Sequence, residues 1–184
     1  MPVKDYQLRI VLKQIVPDIW RRVVVPGNVT LAKLHKVIQL AMGWQTYHLY
    51  LFTVGPERYG EDVGEWSDFD QRVSNAKRTT LQDVVVRKGA RFLYEYDMGD
   101  GWEHEIAVEA IEESSTSKVR CLGGSRSCPP EDCGGPYGYE ELLEIIFDPQ
   151  HPQYEDRKAW LGDGFGPEEF DLPAINRRLG RLKV

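Results

Sequence analysis

Every thiol of this chain falls in one stretch, Cys121-Leu-Gly-Gly-Ser-Arg-Ser-Cys128-Pro-Pro-Glu-Asp-Cys133-Gly-Gly-Pro-Tyr-Gly138. Deprotonated sulfur is a soft metal ligand, and a loop rich in Gly and Pro can wrap several thiolates around one zinc ion. Cys121, Cys128 and Cys133 are therefore candidate zinc ligands, with His104, a short way upstream, as the candidate fourth. The gaps of six and four residues are not the paired CxxC of a zinc ribbon. The same spacing also suits three small apolar side chains packed in a tight loop.

A second polar block precedes the thiols: Asp97-Met-Gly-Asp100-Gly-Trp102-Glu-His104-Glu. Asp97, Asp100 and His104 are the candidate catalytic residues, a carboxylate–imidazole cluster able to bind a hard metal or pass a proton. Each also has a plainer reading. Turns select Asp for its local hydrogen bonds, and a histidine sharing a strand face with Ile106 and Val108 suits a hydrogen-bonded core residue. Glu131 and Asp132 lie between two cysteines and can orient ligands there or stand solvated. With Trp102 beside the turn and His48 on a neighbouring aromatic strand, they complete the candidate binding residues. The chain carries no P-loop, no G-x-S-x-G elbow, no H-E-x-x-H helix and no dinucleotide glycine fingerprint.

These groups need elements to position them. Tyr6–Leu12 and Ile19–Val25 read as an antiparallel hairpin, stopped by Pro26-Gly27. Leu31, Leu34, Ile38 and Ala41 recur at helical spacing after a Thr30 N-cap, and Gly43 ends the helix. Tyr47–Val54 reads as an aromatic strand. Gly55 to about Arg78 reads as a long, partly ordered loop with isolated Tyr59, Trp66 and Phe69 and room for a short strand, and one or two helical turns follow near Thr80. Arg91–Tyr96 and Glu103–Ile111 form a hairpin around Gly99-Asp100-Gly101. Helices are expected at about 138–147, 152–161 and 167–179, with Gly162–Gly166 as a turn. Strands first and helices last give the expected class: α+β, a mixed or mostly antiparallel sheet with one early helix and a C-terminal helical segment.

A length of 184 residues, 41% apolar and 28% charged, fits one soluble domain over residues 1–184. No apolar run approaches a membrane span, and Met1-Pro-Val-Lys-Asp-Tyr is no secretory signal. A cytoplasmic protein with reduced thiols is expected. The net charge is −6. Residues 1–40 hold Lys4, Arg9, Lys13, Arg21, Arg22, Lys33 and Lys36 against Asp5 and Asp18, roughly +5, leaving about −11 for the rest. That balance disfavours non-specific nucleic-acid binding.

Further motifs fall into a known pattern: Trp20-Arg-Arg-Val…Pro26, Leu31…Leu34-His35…Ile38…Ala41-Met-Gly-Trp44, and His48-Leu-Tyr-Leu-Phe. Tyr96-Asp-Met-Gly-Asp-Gly-Trp-Glu-His-Glu-Ile106 and Cys128-Pro-Pro-Glu-Asp-Cys-Gly-Gly-Pro-Tyr-Gly138 continue it, as does the tail from Trp160 to Leu179. By these motifs the chain resembles the Ri-plasmid ORF-3-like family, a family associated with mobile elements. The resemblance implies a single α+β domain on a mixed sheet and no established activity. It places Cys121, Cys128, Cys133, Asp97, Asp100, Trp102 and His104 at motif positions without giving them roles. Some relatives carry a transposon-resolvase label, which this sequence does not support. It shows no serine nucleophile set among clustered arginines, and its charge is acidic.

The expected function is thus a binding or adaptor module for a protein or small-molecule partner, with a Cys-rich loop shaped by zinc or by packing. The alternative is a metal-dependent hydrolase or nuclease using Asp97, Asp100 and His104 with an open position for activated water.

Overall fold

The alternation that begins the chain runs from Lys4 to Leu12. Tyr6, Leu8, Ile10 and Leu12 point inward and are almost wholly buried, while the residues between them stay partly exposed. The computed structural model, which describes residues 4–61, 73–113 and 118–182, extends this half-buried pattern across eight strands. They are β1 (Lys4–Leu12), β2 (Ile19–Pro26), β3 (Tyr50–Val54), β4 (Glu57–Gly60), β5 (Val73–Asn75), β6 (Arg91–Tyr96), β7 (Trp102–Glu113) and β8 (Arg120–Ser125). Their order in one sheet is β5-β4-β3-β6-β7-β1-β2-β8. Every pairing is antiparallel except β4 with β5. The expected α+β class with a mostly antiparallel sheet is what forms.

Helix α1 (Leu31–Met42) lies against the inward face. Thr30 accepts a hydrogen bond from the Lys33 N–H, and Gly43 closes the helix at φ 111°, the left-handed geometry a C-terminal glycine takes without a Cβ penalty. Leu31, Leu34, Val37, Ile38 and Ala41 share one core with Leu8, Ile10, Phe52, Tyr94 and Ile106. Each such aliphatic side chain contributes about 1.5–3 kcal/mol of burial. A short α2 (Leu81–Val84) follows β5. The C-terminal helices are α3 (Gly135–Phe147), α4 (Tyr154–Leu161) and α5 (Leu172–Leu179). α3 and α5 add Tyr139, Leu142, Ile175 and Leu179 to the same core, whereas α4 has no buried residue.

The opposite face of the sheet is charged. Arg22 pairs with Glu109, Lys13 with Glu103, Arg9 with Asp18 and Arg91 with Glu105. The register of β1 against β7 shifts between Gln7 and Leu8, and Glu109 is the extra residue left between their partners. Glu109 accepts hydrogen bonds from Gln7 and from both arms of Arg22. Two of the basic residues in the first 40, Arg22 and Lys13, are therefore matched by acids of β7 brought alongside them.

Four expectations change in detail. β3 begins at Tyr50, not Tyr47, because Thr46 sits at φ 64° and its N–H is held by Gln39, while the Tyr47 N–H is held by Tyr96. The stretch after Gly55 contains β4 and β5; Trp66 and Phe69 lie outside the described residues. The start of the thiol loop is a strand, β8, on which Cys121 faces Val23 of β2. Gly124 lets it close: a Cβ there would meet the Trp20 carbonyl at 2.7 Å and the Phe170 ring at 2.5 Å. Finally, the last helix starts at Leu172, not 167, because Pro167 is tied by its carbonyl to the Ser127 N–H.

β8 is an edge strand, and α5 covers it. The Asn176 side-chain amide pairs with both backbone groups of Cys121, accepting from its N–H at 2.9 Å and donating to its carbonyl at 3.0 Å. It thus stands in for a neighbouring strand. Asn176→Ala leaves both groups without this partner and is expected to lower the unfolding free energy by about 1–3 kcal/mol. Urea denaturation of the two proteins checks this, and an unchanged midpoint would show that α5 docks by apolar packing alone.

Candidate functional site

The two polar motifs of the sequence meet. The turn between β6 and β7 carries Asp97 at φ 55°, with its Oδ1 accepting from the Gly99 and Asp100 N–H groups. The loop between β8 and α3 docks directly on it. Asp100 accepts from the Gly134 N–H through its carboxylate, and Gly135 packs so tightly that a Cβ would lie 2.2 Å from the Asp100 carbonyl. Gly134 and Gly135 both have positive φ, so the Gly-Gly pair supplies the bend and the close approach. The residues after α1 hold the other side of the loop. The Trp44 indole donates to the Pro129 carbonyl at 2.9 Å, and the Gln45 N–H donates to Glu131 at 2.7 Å. The Tyr96 hydroxyl also donates to Glu131, whose negative charge joins burial in raising the phenol well above its usual range.

Asp132, next in the loop, takes φ 56° and turns its carboxylate toward His48. His48 Nε2 lies 3.0 Å from Asp132 Oδ1 and 3.5 Å from Asp97 Oδ2. That nitrogen is shut off from solvent, yet neither contact has the angle of a hydrogen bond. Among the described residues this is the one group of three imidazole, thiol or carboxylate donors lying within 4.8 Å of one another.

The expected ligand and catalytic sets are corrected by this geometry. No three of Cys121, Cys128, Cys133 and His104 come that close, nor do Asp97, Asp100 and His104 together. His104 is fully buried among aromatic rings, edge-on to Trp44 with centroids 5.3 Å apart. Its Nδ1 bonds the Tyr94 carbonyl, and burial pulls its pKa down to about 4. It is a neutral core residue. Trp102 is also wholly buried, beneath the turn, so it lines no open pocket. The thiols are free and protonated: burial raises Cys121 above its usual value, Cys128 well above it, and pushes Cys133 up to about 12. Asp100 positions the loop through backbone contacts. Of the candidate residues, Asp97, Asp132 and His48 share one site, and Glu131 anchors its loop.

No motif or spacing marks the cleft on the other side of this loop. A pocket of about 460 Å³ runs between the end of α1, residues Ser127–Glu131 and the C-terminal helices. Trp44, Trp160, Phe165 and Phe170 line it with Pro129 and Pro130, and Arg21 and Arg178 bring positive charge. Gly162–Gly166, expected to be only a turn, contributes Gly164 and Phe165 to the wall. Arg21 is 2% exposed and donates to the carbonyls of Trp20, Ala41, Ser125 and Arg126. Among the described residues it makes no ion pair with a carboxylate. Its own motif, Trp20-Arg-Arg-Val, was legible, but an inward Arg beside an outward one on a strand follows only from the β2 register.

A second buried imidazole lies under the sheet. His35 stacks on Tyr50 with centroids 3.7 Å apart, and its Nδ1 is 2.7 Å from the Tyr94 hydroxyl, which also accepts from Gln39. Tyr94 is wholly buried and its hydroxyl proton has no other acceptor among the described residues, so it donates to a bare His35 Nδ1. Burial accordingly lowers the His35 pKa to about 3.

An open, mostly antiparallel sheet backed by helices, with a cysteine loop clasped to a hairpin turn, defines the structural class. Within that class the chain belongs to the plasmid pRiA4b ORF-3-like protein family, whose model matches residues 4–174. It is 38% identical over 172 residues to the uncharacterized protein y4hQ of Sinorhizobium fredii (strain NBRC 101917 / NGR234), covering 92% of this chain and 85% of that protein. It is also similar to the crystal structure of the protein of unknown function MM3350 from Methanosarcina mazei Go1. That match has 39% identity and a TM-score of 0.81, over 94% of this chain and 98% of the other. These relatives establish family and fold and bring no activity with them.

Two outcomes follow from the burial pattern. A disulfide-exchange reagent at mildly alkaline pH is expected to leave Cys121 and Cys128 unreacted and to modify Cys133 slowly, with all three titrating once the chain is denatured. Rapid native-state reaction of Cys128 would mean that the loop opens. The two buried histidines, His35 and His104, also make stability fall in acid. Above about pH 6.5 they are neutral in both states and their contribution is whole. Below it only the unfolded chain takes up protons, so each costs about 1.4 kcal/mol per pH unit until the pH nears its lowered native value. Denaturant midpoints between pH 7 and 5 should show this, and His104→Phe should remove one proton's share of the slope. An unchanged slope would show that His104 titrates freely.

Proposed function

We propose that this protein is a cytoplasmic binding module whose ligand occupies the cleft between α1, the Cys-Pro-Pro-Glu loop and the C-terminal helices. The observation that carries the reading is the lining of that cleft: aromatic walls around two guanidinium groups. Trp160 is 47% exposed on a helix that buries nothing else, an arrangement that suits contact with a partner better than core packing. Of the charged residues in the lining, Glu131 and Asp171 direct their carboxylates to the Gln45 and Ala174 N–H groups and Arg21 is committed to main-chain carbonyls, whereas Arg178 is exposed. The ligand class is a small molecule with an aromatic or aliphatic body and one anionic group facing Arg178. Free thiols support a reducing compartment. No helix of the described residues is long and apolar enough to cross a membrane.

Tryptophan fluorescence titration with indole-3-carboxylate and benzoate, each beside its neutral amide, tests the reading. The acids are expected to saturate the signal and bind more tightly than the amides, and Arg178→Ala is expected to weaken the acids about tenfold while sparing the amides. Trp160→Phe should remove much of the fluorescence change. Equal binding of acids and amides, or no saturable change with either, would overturn it.

A further inference from the structure

From the meeting of His48, Asp97 and Asp132 we infer a divalent transition-metal site that clasps the cysteine loop to the β6–β7 turn, independent of the ligand cleft. The three donors come from three separate segments: the residues before β3, the hairpin turn and the loop before α3. Nothing in local turn geometry brings His48 to the other two. Donor atoms bound to one ion by bonds of about 2.0–2.2 Å stand roughly 2.8–3.6 Å from each other in octahedral or tetrahedral arrangements. His48 Nε2 lies 3.0 and 3.5 Å from the two carboxylate oxygens.

The second observation concerns how these atoms are left by the protein. Asp97 has a side chain only 9% exposed; its Oδ1 takes two backbone N–H groups, and its Oδ2 is turned to His48 without a hydrogen bond among the described residues. His48 Nε2 is itself buried and without a hydrogen-bond partner. A buried ring nitrogen standing from two carboxylate oxygens at the separations of ligands that share one ion, and hydrogen-bonded to neither, has the arrangement that a shared cation satisfies. One imidazole and two carboxylates favour a borderline ion such as Zn²⁺ or a harder one such as Mn²⁺ over a strictly thiophilic one. Asp132 is 67% exposed, so the site faces solvent and keeps positions for water. The zinc chemistry suggested by the cysteines thus moves to the oxygen and nitrogen donors beside them.

Calorimetric titration of the full chain, stripped with chelator and then given Zn²⁺, Mn²⁺ or Co²⁺ alone, tests the assignment. One ion per chain is expected, with Co²⁺ showing no sulfur-to-metal charge-transfer band. His48→Gln and Asp132→Asn are each expected to weaken binding by roughly 10–100-fold. Asp97→Asn keeps an acceptor for the turn and should do the same. Cys128→Ala with Cys133→Ala should bind as the parent does. If the Asp97 variant does not fold by circular dichroism, the His48 and Asp132 variants decide the matter. Absence of binding at millimolar ion would overturn the site, as would a thiolate band or loss of binding in the cysteine variant with retention in His48→Gln. None of these readouts depends on the cleft.

Discussion

Arg21 carries a guanidinium into the interior without a carboxylate to meet it. Four of its five N–H groups instead reach main-chain carbonyls, on Trp20 and Ala41 and on Ser125 and Arg126. Those carbonyls belong to β2, the last turn of α1, the end of β8 and the residue that starts the cysteine loop. One rigid, planar fork therefore fixes the distances among sheet edge, helix and loop. Burial lowers the affinity of Arg21 for its proton. A Lys would supply fewer donors from a flexible stem and could not span three segments. Arg21 also stacks over Phe170, with 5.0 Å from its carbon to the ring centroid, so the cleft wall is set by the same group.

What Arg21 does for the start of the loop, the β6–β7 turn does for its end. Asp97 and Asp132 are both non-glycine residues at positive φ, one in the turn and one in the loop. Their conformations are tolerable because Asp takes the left-handed region more readily than most residues. Asp97 also gains two backbone hydrogen bonds there. The side-chain and main-chain contacts from Trp44, Gln45, Tyr96 and Asp100 then hold six residues of irregular chain, Cys128–Cys133, in one place. Such a stretch has no ladder of its own, so its polar groups need partners from outside. The partners come from the motifs that stood out in the sequence.

The periodic parts of the fold were legible for that reason. The Thr30 cap, the apolar stripe of α1 and the Gly43 stop are local signals, and so is the two-residue alternation of β1 and β7. The errors fall where long-range contacts decide. β8 forms because β2 offers it an edge, and its own Gly-Gly-Ser reads as loop. The start of β3 moves because Gln39 and Tyr96 hold the residues before it. For the site, the residue types were legible and the grouping was not. Asp97 and His104 are close in sequence, yet strand pleat sends His104 inward while the turn keeps Asp97 at the rim. His48 joins Asp97 because β3 pairs with β6, a fact no spacing contains. Arg21 and Phe165 were hidden for the same reason.

The cysteine loop sends its side chains to two environments, and solvation decides what each can do. Cys128 turns into the core beside Arg21 and Tyr139, where a thiolate would lose its hydration and the proton stays on sulfur. Three residues later Glu131 emerges at the rim, and Asp132 beyond it is largely in water. Pro129 and Pro130 make that passage, since fixed φ values and missing N–H groups keep the segment extended. The soft donors are thus placed where ionisation is costly, and Asp132 where charge is cheap, beside Asp97 and His48. The motif first suggests sulfur chemistry because cysteine is rare and conspicuous. Burial inverts that reading: the thiols act as small core residues holding the loop down, and the carboxylates between them face the chemistry.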